Sequence, residues 1–145
     1  MSTQSALDAL VDAYERLTLD SLDALAARYA TDASFKDPFN EVVGRAAIAR
    51  VFRHMFEQVD VPRFIVTGKF PAEGAAMLTW EFRLRFRGES AERVIRGASH
   101  LRFDAQGLVT MHRDYWDAAE ELYAQLPVLG ALMRFLRRRL ATPQA

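Results

Sequence analysis

No cysteine occurs in the 145 residues of the chain, which removes disulfides, thiolate metal sites and cysteine nucleophiles together. Histidine is nearly as scarce. The three copies, His54, His100 and His112, are too scattered for a ligand cluster, so no metal is expected. Neither a Gly-rich loop followed by Lys and Ser or Thr nor a G-x-G-x-x-G fingerprint is present, so no nucleotide cofactor is expected either. Neither sign of charge is in excess, with 19 basic against 19 acidic side chains, and nucleic acid is therefore disfavoured as a partner. No apolar run approaches the ~20 residues of a membrane span. The opening segment MSTQSALDALVDAYERL has acids inside its apolar periodicity and no cationic lead-in, which predicts a helix rather than a secretory leader. These absences predict a soluble, cytoplasmic protein without cofactors, folded as a single domain over residues 1–145.

What the sequence does contain is periodicity of two kinds. Leu7, Leu10, Val11, Tyr14 and Leu17 recur at helical spacing, and Leu22, Leu25, Ala26 and Tyr29 repeat the pattern. A strand is predicted over Ala33 to Phe39, ending at the Asp37-Pro38 step. Ile48, Val51, Phe52, Met55, Phe56 and Val59 then mark a third helix that Pro62 stops. From Arg63 onward the period becomes alternating, which predicts strands over Phe64–Phe70, Ala75–Arg87, Arg93–Phe103 and Leu108–Asp117, separated by turns rich in Gly, Pro and Asp. A final helix is expected from Ala118 to Leu140, kinked or divided near Pro127 and Gly130. Helices, then an antiparallel meander, then a helix make an α+β layout, with helices over one face of a curved sheet and a cavity beneath them.

The last strand carries the chemistry. In LVTMHRDYWD the residues His112, Asp114 and Trp116 share one face, opposite Met111, Arg113, Tyr115 and Asp117. An imidazole, a carboxylate and an indole on one surface suit a small-molecule site, and an edge strand wetted by solvent would show the same pattern. Trp80, Phe82, Leu84 and Phe86 alternate with Glu81, Arg83, Arg85 and Arg87, so one face of that strand is buried and the other is not. The tail LPVLGALMRFLRRRL places basic residues beside an apolar stripe. That pattern fits a packing or lid helix and is shared with membrane-surface helices.

The order of elements, together with the segments DAYERL, YATDASFKDPFNEVVGRAAI and GASHLRFDAQGLV, resembles the nuclear transport factor 2-like superfamily, which includes ketosteroid isomerases and SnoaL-type polyketide cyclases. The resemblance implies a cone-shaped curved antiparallel sheet with three helices from the N-terminal half covering a cavity and one more at the C-terminus. It also implies roles. Tyr14 falls where the isomerase keeps the tyrosine that donates to the enolate oxygen, and Asp37 where it keeps the proton-shuttling aspartate. Ser99 departs from the pattern, standing where the isomerase has a neutral carboxylic acid. His112 and Asp114 stand where the isomerase has apolar side chains, which moves the chain toward the cyclase-like branch.

The expectation is thus a cofactor-independent enzyme of isomerase, cyclase or hydrolase type, acting by general acid and base chemistry on a hydrophobic small molecule. Tyr14, Asp37, His112 and Asp114 are the candidate catalytic residues. Ser99, Trp80, Phe82, Leu84, Trp116, Phe52 and Phe56 are the candidate substrate contacts. The alternative is a binding or dimerisation module of the same fold without turnover. A homodimer is expected through the convex sheet face, where Arg113 and its charged neighbours surround Met111 and Tyr115.

Overall fold

The computed structural model describes residues 1–144. Helix α1 (Thr3–Glu15) begins where the Ser2 hydroxyl accepts the Ser5 N–H, and it buries Ala6, Leu7, Leu10, Val11 and Tyr14 along one stripe. A single-turn α2 (Leu22–Ala26) follows, then strand β1 (Tyr29–Lys36), the short β2 (Glu41–Val43) and α3 (Arg45–Gln58), which buries Ile48 and Phe52. Four further strands complete the sheet: β3 (Val59–Ala72), β4 (Ala75–Phe86), β5 (Arg93–Phe103) and β6 (Val109–Tyr115). The chain closes with α4 (Ala118–Glu121), a 3-10 turn (Tyr123–Gln125) and α5 (Pro127–Leu140).

The strands form one six-stranded open sheet in the order β2-β1-β6-β5-β4-β3. All neighbours are antiparallel except β1 and β6, which run parallel. Register shifts between Asp60 and Arg63, Val66 and Gly68, and Arg102 and Phe103 place bulges in the long strands. Each bulge bends its strand. The sheet therefore curls, and α1 to α3 cover its concave face over a core that includes Leu7, Leu10, Leu25, Tyr29, Ile48, Leu101 and Val109. This is the expected α+β cone.

Three features differ from the sequence reading. Tyr29 opens a strand rather than continuing the second helix, because its carbonyl accepts from the Arg45 guanidinium and its ring enters the core. β2 is too short to show a period. Pro62 lies inside β3, where the bulge and Val61, at φ 49°, absorb it, while α3 already ends at Gln58. The C-terminal helix is divided at Pro127, one of the two outcomes expected: Pro127 is the first residue of α5, where its missing N–H is harmless, and Gly130 lies within the helix. Among the described residues no helix is long and apolar enough to cross a membrane.

Candidate active site in the cone

The concave face and the helices above it enclose a cavity of about 200 Å³ that opens at one end. Its walls are aromatic and aliphatic. Phe64 and Phe82 stack with ring centroids 4.5 Å apart on adjacent strands, and Tyr14 meets Phe52 and Phe64 edge to face. The benzo ring of Trp80 packs on its cross-strand neighbour Gly97, where an added Cβ would come within 2.6 Å of the indole Cζ2, so the close approach requires glycine. Trp116 and Phe39 form the rim, 5.6 Å apart edge to face.

A chain of buried polar side chains runs across this apolar wall. The Tyr14 and Tyr29 hydroxyls are hydrogen-bonded to each other. The Tyr29 hydroxyl lies 2.7 Å from His112 Nδ1, and Tyr14 lies 3.4 Å from the same nitrogen. On its other side His112 Nε2 is 2.5 Å from Asp114 Oδ1. Ser99 donates to that same oxygen at 2.5 Å, and the Trp80 indole N–H donates to Ser99 Oγ at 2.8 Å. His112 is 4% exposed and Ser99 2%, whereas the Asp114 side chain keeps 17%. Asp114 is thus the member of the chain that reaches open space, with Oδ2 unengaged by any described residue.

The local sequence explains this placement. Alternation along β6 puts His112 and Asp114 on the concave face, and the β5–β6 register sets Ser99 opposite Asp114 and Leu101 opposite His112. On the other side, β1 sets Phe35 beside His112, with ring centroids 4.8 Å apart. The imidazole is therefore fixed by rings as well as by hydrogen bonds.

Two proton arrangements satisfy the chain. With His112 neutral, its Nε2–H donates to Asp114, Tyr29 donates to Nδ1 and Tyr14 donates to Tyr29. With His112 carrying both protons, Nδ1–H donates to Tyr29, Tyr29 donates to Tyr14, and the Tyr14 proton is released toward the cavity. The charge on His112 therefore decides whether Tyr14 can donate to a bound molecule. Both phenols stay protonated, since burial pushes the Tyr14 and Tyr29 hydroxyls well above the ordinary tyrosine range.

Tyr14, Asp37, Phe52, Trp80, Phe82, Ser99, His112, Asp114 and Trp116 all line the cavity. Asp37 does so at the mouth, in a turn whose amides it caps: Oδ1 accepts the Phe39 and Asn40 N–H groups at 2.8 and 2.6 Å, and Asn40 Nδ2 reaches both carboxylate oxygens at 3.1 Å. Two expected contacts fall elsewhere. Leu84 is buried in the core beyond the cavity, at the end of β4 that pairs with Arg93, and Phe56 packs on the core while Val51, Phe52 and Met55 present the cavity face of α3. Tyr29 is the residue that the sequence reading missed. Its signal was hidden because it also fits the helical stripe of Leu22, Leu25 and Ala26. His54 and Gln58 likewise join the wall from α3. Among the described residues no group of three His, Asp or Glu side chains is placed to hold a metal ion.

On the convex face Arg83 pairs with Glu81 and Glu92, Arg85 and Arg87 with Asp60, and Arg96 with Glu121. Arg113 lies over the half-exposed Tyr115 ring, 4.8 Å from its centroid.

The architecture recurs in solved structures of low sequence similarity. A protein of ketosteroid isomerase-like fold from Catenulispora acidiphila, in complex with trimethylamine, is 17% identical with a TM-score of 0.71, covering 84% of this chain and 93% of that one. A putative SnoaL-like polyketide cyclase from Shewanella denitrificans is 19% identical with a TM-score of 0.67 (85% and 98% covered). An LEH-like epoxide hydrolase of M. tuberculosis is 16% identical with a TM-score of 0.66 (97% and 96% covered). No curated protein sequence matches the chain. At these identities the likeness establishes the fold, which is that of the nuclear transport factor 2-like superfamily. Within it, residues 8–112 match the SnoaL-like domain, and the chain belongs to that family.

Proposed function

We propose that the protein is a cofactor-independent acid–base enzyme acting on a small hydrophobic carbonyl compound or epoxide, with Asp114 as the general base. The observation that carries this reading is the single free carboxylate oxygen of Asp114, held at an apolar cavity by His112 and Ser99. Three features support the assignment over Asp37, whose oxygens are engaged by its own turn. Asp114 is fixed on a strand, it is backed by a buried imidazole, and it faces the ring-lined space. For a carbonyl substrate, the carbon–hydrogen bond next to the carbonyl breaks, the proton goes to Asp114 Oδ2, and the electron pair moves onto the carbonyl oxygen. Tyr14 donates to that oxygen when His112 carries both protons. For an epoxide, water bonds to a ring carbon as Asp114 Oδ2 takes its proton, the ring carbon–oxygen bond breaks, and the released oxygen takes the Tyr14 proton, which Tyr14 regains through Tyr29 from His112.

A cavity of about 200 Å³ compares with the ~150 Å³ that accommodates benzene. It takes one ring or a branched short chain, and a larger skeleton would have to project through the mouth. A steroid is therefore a poor fit. The alternative, a binding module without turnover, is favoured by Ser99, which relays from Trp80 to Asp114 instead of donating to a ligand. A homodimer through the convex face around Arg113 and Tyr115 accompanies either reading.

Both tryptophans line the cavity, so their fluorescence reports occupancy. A panel of monocyclic ketones and terpene-sized epoxides should quench it and be converted, with conversion falling by about 10²- to 10⁴-fold in Asp114→Asn, as expected for loss of a general base. Quenching without conversion of any compound would support the binding module instead.

A further inference from the structure

We propose that α5 docks the protein on an anionic lipid surface. The helix is mounted with its polar side inward. Gly130, its buried residue, sits against the Ala124 carbonyl, where a Cβ would come within 2.5 Å of the oxygen, and Arg134 donates to the same carbonyl at 3.4 Å. At 3.6 residues per turn, Val128, Leu129, Leu132, Phe135, Leu136 and Leu140 fall within about 140° on the opposite side. All six are exposed, Phe135 by 51% and Val128 by 82%. A packing or lid helix would turn this stripe toward the body, and α5 turns it away.

Charge selects the occupant. Residues 122–145 contain Arg134, Arg137, Arg138 and Arg139 and no acidic residue, although the chain as a whole is neutral. Among the described residues, none of these arginines pairs with a carboxylate. Arg137 and Arg138 lie about 60° beyond either edge of the apolar arc, within reach of it by their long stems, while Arg139 falls within it. A second copy seated on that arc would bury the Arg139 charge without a partner, at a heavy cost. At a bilayer the same side chain extends its head to the phosphates while its stem stays with the acyl chains. An exposed apolar arc bordered by unpaired arginines therefore suits anionic headgroups over a protein partner. The 3-10 turn beneath α5 also meets the cavity rim, through the edge-to-face contact of Tyr123 with Phe39. Docking would hold the mouth beside the lipid that could supply an apolar ligand.

The test is cosedimentation of the full chain with vesicles of phosphatidylcholine alone and of phosphatidylcholine with one third phosphatidylglycerol. Binding should favour the anionic vesicles by at least about tenfold, weaken with salt, and fall about fivefold for each of Arg137, Arg138 and Arg139 changed to Gln. The double variant Leu132→Glu, Phe135→Glu, at exposed positions, should abolish binding with unchanged circular dichroism. Absence of binding to anionic vesicles, equal binding to both compositions, or full binding by the double variant would overturn the proposal. So would a native oligomer that the double variant turns into monomer without vesicle binding at any stage, which would assign the face to a second copy.

Discussion

Replacing Tyr29 by Phe removes one oxygen atom and tests the buried chain at its hinge. The Tyr29 hydroxyl holds two partners, Tyr14 and His112 Nδ1, in a region closed to water. Without it, the imidazole nitrogen faces only the Tyr14 hydroxyl, 3.4 Å away, and that hydroxyl has lost its own partner. Leaving a buried polar group unsatisfied costs about 1–3 kcal/mol. Because Tyr14 can close part of the gap, Tyr29→Phe should lie within that range rather than double it. For a chain of this size that is a fall in Tm of about 2–10 °C. Tyr14→Phe should cost less, about 0.5–1.5 kcal/mol, since Tyr29 can still donate to His112. The double variant is the sharper measurement. It has no orphaned Tyr14 hydroxyl, so its cost should fall short of the sum of the single variants by about 1 kcal/mol. Urea denaturation followed by far-UV circular dichroism measures all three. If the two changes add to within about 0.3 kcal/mol, or if Tyr29→Phe alone costs nothing, the hydroxyls are not coupled and the relay is wrong.

The remaining predictions concern the same cavity and its surroundings. An unfolded tyrosine ionises near pH ~10, while the folded Tyr14 and Tyr29 keep their protons above that. The native state then binds more protons, so the stability they contribute is complete below pH ~10 and lost as pH rises beyond it. Absorbance at 295 nm should show these two phenols ionising only with unfolding, and their ionisation in the native protein would refute the burial. Gly97→Ala should displace the Trp80 indole, cost about 1–3 kcal/mol by overpacking and shift tryptophan emission; unchanged emission would count against the contact. Arg113→Glu should raise the dissociation constant of the proposed dimer in sedimentation, and a native protein that is monomeric at micromolar concentration would remove that proposal.

Much of the fold was legible because its signals are local. The alternation of Trp80, Phe82, Leu84 and Phe86 set the buried face of β4, and the stripe from Leu7 to Leu17 set α1. The pairing of His112, Asp114 and Trp116 on one face followed from period two alone. Tyr29 was not legible, because three residues beyond Ala26 it continues a helical stripe as well as it begins a strand. Only Arg45 and His112, remote in sequence, decide between them. Phe56 and Leu84 show the opposite failure. Their periodicity identified them as inward-facing, but the extent of the cavity along β4 and α3 is set by the curl of the whole sheet. The fate of α5 was hidden for a related reason: its apolar stripe says nothing about whether the chain turns that stripe inward.

The most direct test of the central claim, that Asp114 is the proton-accepting group, is hydrogen–deuterium exchange at carbon. Monocyclic ketones, including β,γ-unsaturated ones, are incubated with the protein in deuterium oxide, and loss of the proton signal beside the carbonyl is followed by NMR. This reads proton abstraction whatever the later steps are. Exchange should exceed the buffer rate with the native protein and with Asp37→Asn, and fall to the buffer rate with Asp114→Asn. Exchange that survives Asp114→Asn but disappears with Asp37→Asn would contradict the account.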